Sequence, residues 1–337
     1  MYQRKGSYLS SAGKTYSVPS RDNNINFLRF IAASLVIWFH MASLLAIPEP
    51  YIMGQGLGPI AVNIFFVLSG YLIAKSWTRS SSFGSYLIRR IARIFPGLAV
   101  VILLSVFVMG PIVTSLPLGD YFADAGTWKY LSLIVLAPIS NVLPGVFDAN
   151  PLPYAVNGSL WTLRYEFLAY LLTPLLYAAT KKLCGGRKLV FAVVLAVLVL
   201  VHFLSYSGLY PLPKVLDNLF RLFAYYMAGV AVLELGLDKY CDSQFAVVAL
   251  LVIIVFRDQV GIFSSLIMFV CVCTFTLGFS LTSNPRFAPC FKKNDYSYGI
   301  YIYAFPIQQC VVWLGGASLP CAYLSCSVIS FGITLLF

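Results

Sequence analysis

Charge is what this chain lacks. Of its 337 residues only 10% are Asp, Glu, Lys or Arg, and 60% are hydrophobic, where a soluble domain carries about 25% charged residues. That scarcity, with a mean hydropathy of +0.84, excludes a soluble globule. Histidine occurs twice. The eight cysteines all follow residue 183 and form no CxxC pair. They read as small hydrophobic residues, not as a disulfide framework or a metal site. No P-loop, HExxH, GxGxxG or Ser-His-Asp pattern stands in a setting that would give it meaning. The first 24 residues are polar, with Arg4, Lys5, Lys14 and Arg21, and lack the apolar core of a cleavable signal peptide. Residues 1–24 are therefore expected to be a cytoplasmic tail, and 25–337 a transmembrane domain whose first helix stays in the mature protein.

Apolar segments separated by short polar breaks fill the rest of the chain. Many are close to the roughly 20 residues that cross a bilayer as a helix. Barrel strands would be shorter and alternating. The expected fold is an all-α, polytopic transmembrane bundle, because helices satisfy the backbone hydrogen bonds that lipid cannot. The net charge of +11 follows from the positive-inside rule, so no nucleic-acid partner is implied. Hydropathy and Lys/Arg bias place spans near 25–46, 57–76, 96–114, 160–180, 189–206, 218–236, 244–257, 261–281, 297–314 and 320–337. The basic segments 75–93, 181–188 and 286–293 fall on one side, with both termini. This parity leaves no room for a single crossing at 130–145. That segment is expected to be re-entrant or interfacial, covered by protein or water.

Four stretches carry polar chemistry into this apolar background. "NFLRFIAASLVIWFH" holds Arg29 near the cytoplasmic end of the first span and His40 in its outer half. Eleven residues at 100° each come to about 20° past three turns, so the two share a face roughly 16 Å apart along the axis. Ionisable groups inside a span face the bundle interior or a water-filled path. The bland alternatives are a snorkelling arginine and a buried neutral histidine. "GSLWTLRYEFLAY" supplies Glu166, about six residues from the outer end of its span, as His40 is from its own. A carboxylate at that depth would orient the imidazole and raise its basicity. Alternatively, Glu166 pairs with Arg164 or another arginine for packing. "SYLIRRIARIFP" is read as an inner loop ahead of a span that begins near Pro96. Its Arg90 and Arg93 share a face if it is helical. Arginine forks suit phosphates, or equally an anionic lipid surface. In "GPIAVNIFFVLSGYLI", Ser69 and Gly70 allow close helix approach. His202 is expected at the membrane interface.

Together these motifs resemble the acyltransferase-3 family of integral membrane acyltransferases, which includes bacterial O-antigen O-acetylases. The resemblance runs from Asn26 to about Gln308. It rests on Arg29 with His40, "FFVLSG" (65–70), the Arg90–Arg93 pair, "SLWTLRYEF" (159–167) and "YSYGIYIYAFP" (296–306). It implies about ten spans and acyl transfer from a cytoplasmic acyl-CoA to an acceptor outside. It also implies functional roles for Arg29, Arg90, Arg93 and His40, and a family motif containing Trp161 and Glu166. Two positions depart from the pattern: Ala304 stands where the family often has histidine, and Asn63 where an acidic residue is frequent. Many relatives carry an added esterase-like domain, which this sequence does not show.

The expected function is that of an O-acyltransferase of the bacterial inner membrane, most simply an O-acetyltransferase. Acetyl-CoA is the expected donor, no metal is expected, and the acceptor is an extracytoplasmic glycan, free or lipid-linked. Arg29, Arg90 and Arg93 would hold the donor phosphates, His40 would act on the acceptor hydroxyl or carry the acyl group, and Glu166 would orient it. Intramembrane Arg, His and Glu suit a lipid-linked-sugar transporter or flippase as well, although no inverted repeat is evident. A small-molecule acyltransferase is the third reading. Oligomeric state is not legible.

Overall fold

A chain this apolar closes its backbone hydrogen bonds within helices. The computed structural model, which describes residues 8–9, 15–16, 23–137, 142–180, 186–259, 261–282 and 295–335, is mostly helical. Among the described residues strand is confined to two short hairpins, β1 (Tyr8–Leu9) with β2 (Thr15–Tyr16) and β3 (Tyr51–Ile52) with β4 (Gln55–Gly56). The long helices are α1 (Ile25–Leu44), α2 (Leu57–Thr78) and α3 (Phe83–Val113). Two short ones follow, α4 (Leu118–Ala123) and α5 (Ala125–Tyr130). Then come α6 (Trp161–Thr180), α7 (Gly186–Tyr206), α8 (Lys214–Leu235) and α9 (Ser243–Val255). The last are α10 (Ser264–Leu281), α11 (Ser297–Trp313) and α12 (Ala322–Thr334).

Among the described residues, six helices are long and apolar enough to cross a membrane: α1, α2, α3, α7, α8 and α10. The protein is thus a multi-pass membrane bundle. The four other expected spans are also helical. However, α9 and α12 have 13 residues each and α11 has 17, while α6 carries Arg164 and Glu166. The expected basic positions Arg286, Lys292 and Lys293, and most of 181–188, lie outside the described residues.

Helix α2 is the bundle's centre. It is apolar nearly all round and buries Val62, Ile64, Phe66, Val67, Leu68, Tyr71 and Ile73, as a core helix should. Its most extensive neighbour is α8. A methyl group on Gly70 would fall 1.9 Å from the Tyr226 carbonyl oxygen, and one on Gly229 would fall 2.1 Å from that of Val67. The two backbones touch because both positions lack a side chain. Helix α1 packs on α2 and α11, and α11 on α12. On α7 only Phe191 and His202 are buried, leaving Leu189, Val193, Val197 and Leu200 outward.

Two expectations change here. Residues 85–96 are not a loop. Ser82 caps α3 by accepting from the Ser85 amide, and the helix runs through Pro96 without ending. His202 is not interfacial in its surroundings: it is 2% exposed and packs edge-on against Tyr206 and tilted against Tyr225. The 130–145 segment, of which 138–141 lie outside the described residues, contains no continuous helix in its described part. A 3-10 turn over Leu131–Val135 ends at Leu136 with φ of 59°. The chain then comes back beside the end of α3, where Ser115 N donates to Gly145 O and Thr114 Oγ1 to Pro144 O.

The irregular loop before α6 is anchored by a proline. Pro306 sits inside α11 and has no N–H, so it leaves the Ile302 carbonyl without its helical donor. Asn157 Nδ2 supplies the missing donor at 2.8 Å. The same residue's Oδ1 accepts from Ser159 N and so opens the turn into α6. One asparagine therefore sets the start of α6 against α11. Replacing Asn157 with Ala should lower stability by about 1–3 kcal/mol, the cost of a buried orphan carbonyl. In a Pro306→Ala background, where the helix regains its own donor, the loss should be smaller. Thermal unfolding of the four proteins in detergent measures this; equal losses in both backgrounds would refute the pairing.

Candidate active site

The site is built where α1, α2, α3, α6 and α11 meet. At one end lies a charged cluster. Arg29 Nε is 3.4 Å from Asp295 Oδ2 and donates to Ser297 Oγ at 3.2 Å. Arg93 Nη2 donates to the same Asp295 oxygen. Asp295 Oδ1 accepts from the backbone N–H and the hydroxyl of Ser297, fixing the carboxylate at the start of α11. Asp295 lies outside the membrane-spanning helices. Burial alone would raise its pKa, but the Arg29 and Arg93 guanidiniums outweigh that and hold it at about 2.

Arg90, one turn before Arg93 on α3, lies over the rings of Tyr86 and Tyr170, at 6.0 Å and 5.9 Å from the centroids. Its Nε is buried without a partner, and among the described residues it pairs with no carboxylate. Its neighbour Arg89 instead bonds Ser80 and Ser85. The Tyr170 hydroxyl donates to Glu166 Oε1, to which Ser69 Oγ also points at 3.5 Å.

A cavity of about 40 Å³ lies beside this cluster, room for a few waters, each of which needs roughly 10–15 Å³. Arg29, Ser69, Glu166, Thr162 and Ser297 give it polar walls, and Phe65, Tyr298 and Tyr301 give it aromatic ones. Within that lining Thr162 and Tyr301 share a hydrogen bond at 2.7 Å. Three residues before Thr162, Ser159 meets His40. Its Nε2 is 3.5 Å from Ser159 Oγ, a long contact, and its ring meets Phe39 and Phe305 edge-on at 5.4 Å and 5.0 Å. Phe305 in turn lies over Gly158, where a methyl group would approach the ring to 2.7 Å.

The structure therefore brings Arg29 and Arg93 together on one carboxylate, with Arg90 next to them. It does not bring Glu166 to His40. Among the described residues no hydrogen bond or ion pair joins them, and the group on the imidazole is Ser159. Ser159 precedes Glu166 by seven residues, so Glu166 is about 10 Å further along α6, at the level of the Arg29 cavity. Arg164 is no partner of Glu166 either, since its Nε donates to the Trp161 carbonyl. Ala304 lies buried among Ala33, Ile37 and Ile300. Asn63 is fully buried and accepts from Arg221 Nη1 at 2.7 Å.

Sequence reasoning missed Asp295, Ser297 and the Tyr170–Glu166 bond. Asp295 immediately precedes the tyrosine-rich motif at 296–306. An Asp two residues before a helical serine is a turn-forming and capping signal, and it lies on the same expected side as the arginines.

Among the described residues no group of three or more His, Cys, Asp or Glu could hold a metal. A family model described as an acyltransferase domain matches residues 22–337. The "O-acetyl transferase" of Shigella phage Sf6 is 33% identical over 299 residues, covering 87% of this chain and 86% of that protein. "Nodulation protein 10" of Rhizobium leguminosarum bv. viciae is 29% identical and covers 51% of this chain and 48% of that one. "Peptidoglycan O-acetyltransferase OatA" of Listeria monocytogenes is 31% identical over 53% of this chain and 27% of its own length. No solved structure matches the chain.

The Asp295 cluster makes a pH prediction. An unfolded Asp titrates near 3.9, above the folded value of about 2. Its stabilising contribution is therefore complete above about pH 4 and is lost as pH falls toward 2. The stability gap between the wild type and Asp295→Asn should be constant from pH 8 to 5 and narrow only below about 4. Thermal unfolding across that range checks it. A gap already shrinking between pH 7 and 5 would mean that burial outweighs the guanidiniums.

Proposed function

Because the chain belongs to the acyltransferase-3 family of membrane acyltransferases, we propose that it is an O-acetyltransferase moving an acetyl group from acetyl-CoA to a hydroxyl of an extracytoplasmic glycan. O-antigen and exopolysaccharide, free or lipid-linked, are the acceptors in view. The names of the phage and Listeria relatives support the acetyl group. The observation that carries the donor assignment is the convergence of Arg29 and Arg93 on one carboxylate, beside a polar cavity that Arg29 lines, with Arg90, which pairs with no carboxylate among the described residues, one turn away on α3. Arginine forks match phosphate oxygens in pairs. In this reading the arginine end faces the cytoplasm of a bacterial inner membrane, both termini lie on that side, and residues 25–337 act as one domain.

The arginines would hold the donor's phosphates, and the acyl arm would extend through the cavity past Glu166 toward His40. Thr162 and Tyr301, hydrogen-bonded to each other, line that cavity, and in this reading the arm passes them on its way to His40. His40 accepts the proton of the acceptor hydroxyl. The hydroxyl oxygen then bonds to the acyl carbon, the carbon–sulfur bond breaks, and coenzyme A leaves as a thiolate that takes up a proton. Alternatively His40 itself receives the acetyl group and passes it on. As a general base, a positioned histidine is worth about 10²–10⁴-fold. Ser159, as the imidazole's neighbour, would take the orienting part expected of Glu166. Glu166 would instead serve the cavity's polarity and the Tyr170–Arg90 wall.

Mass spectrometry of surface glycan tests this. Cells carrying the gene should show acetylated sugars that vanish with His40→Ala at equal protein level. Lysine at both Arg90 and Arg93 keeps charge but loses the fork and should raise the donor KM by roughly tenfold or more. Unchanged glycan mass with a changed amount of polymer would instead favour a flippase.

A further inference from the structure

Arginine that grips a phosphate well presents the two terminal nitrogens of its fork, and something else must hold the rest of the guanidinium in place. Arg29 is arranged that way. Its Nε, the inner nitrogen, is the atom engaged by Asp295 and Ser297, and no hydrogen bond within the described residues occupies its two terminal nitrogens. Arg93 gives only Nη2 to the same carboxylate. Asp295, two residues before the start of α11, is itself held by the Ser297 amide and hydroxyl. Arg29 comes from α1, Arg93 from α3 and the carboxylate from α11. Among the described residues only this carboxylate links the two arginines. Beside them the buried Arg90 Nε is unpartnered, so positive charge remains in excess after Asp295 is counted.

We propose that Asp295 is a positioning residue for the donor: it clamps Arg29 and Arg93 from behind so that their free nitrogens converge on the donor's phosphates. This rests on the donor assignment above and adds to it a residue that touches neither the reacting atoms nor the donor. A carboxylate that merely filled the phosphate site would behave in the opposite way, because removing it would tighten donor binding.

Asparagine separates these roles. Its side-chain oxygen can still accept from the Ser297 amide, so the turn that leads into α11 keeps that hydrogen bond. What is lost is the charge that orders two guanidiniums. In purified protein, Asp295→Asn should raise the KM for acetyl-CoA about tenfold or more, the scale of a charge-assisted hydrogen bond, while kcat at saturating donor falls far less. Coenzyme A binding should weaken in parallel. Ser297→Ala, which removes the hydroxyl shared by Arg29 and Asp295, should shift KM in the same direction by less and gives the test if the asparagine variant does not fold. An unchanged KM in these variants overturns the proposal, as does a lowered KM or a loss confined to kcat. Arg93→Ala is the control. If it loses the donor while Asp295→Asn keeps the wild-type KM, only the role of Asp295 fails. If Arg93→Ala binds coenzyme A as the wild type does, the donor assignment fails and this proposal with it.

Discussion

A guanidinium in an apolar bundle needs a counter-charge close by, and among the described residues two of the three arginines near one end of this bundle share one ion-paired carboxylate. Arg29 and Arg93 converge on Asp295, which joins α1, α3 and α11 at one point. Around that point the rest of the site is arranged. Tyr298 donates to the Ile94 carbonyl and seals α11 against α3. Ser297 and Arg29 form one wall of the cavity, and Glu166, tied to Tyr170, forms another. Without Asp295 two cations would repel each other across the helices they come from.

The other end of the site depends on a proline. Pro306 breaks the hydrogen-bond ladder of α11, and Asn157 fills the gap. That is why α6 begins where it does, with Ser159 at His40 and Thr162 at Tyr301. The two ends are joined by α1, whose rigid length separates Arg29 from His40 by roughly 16 Å. In the proposed mechanism the same helix would carry a phosphate-binding residue, Arg29, and a proton-accepting one, His40. The close packing of α2 on α8 through Gly70 and Gly229 gives α1 and α6 a fixed support.

Much of this was legible in the sequence, for identifiable reasons. Hydropathy pointed to a helix at each expected span, because apolar length is a strong signal, although among the described residues six of these helices are long and apolar enough to cross a membrane. Helical periodicity put Arg29 and His40 on one face, and placed Arg90 and Arg93 one turn apart. Gly70 was read correctly as a close-approach residue. Depth along unpaired helices was less legible: counting from span ends placed Glu166 with His40, whereas the turn at Gly158–Leu160 puts Ser159 there and Glu166 lower. The basic run 85–96 looked like a loop because charge and Pro96 mark loops, yet α3 tolerates both by extending well beyond a bilayer's thickness. His202 looked interfacial from its position and is buried by Tyr206 and Tyr225. Asp295 escaped notice because its role depends on residues more than two hundred positions away.

The central claim is that donor and acceptor meet from opposite faces of the membrane. Sealed vesicles of defined orientation test it directly. With the cytoplasmic face outward, radiolabelled acetyl-CoA added outside should label glycan enclosed within, and the His40→Ala protein should not. Labelling only when acetyl-CoA is sealed on the same side as the glycan would contradict transfer across the bundle.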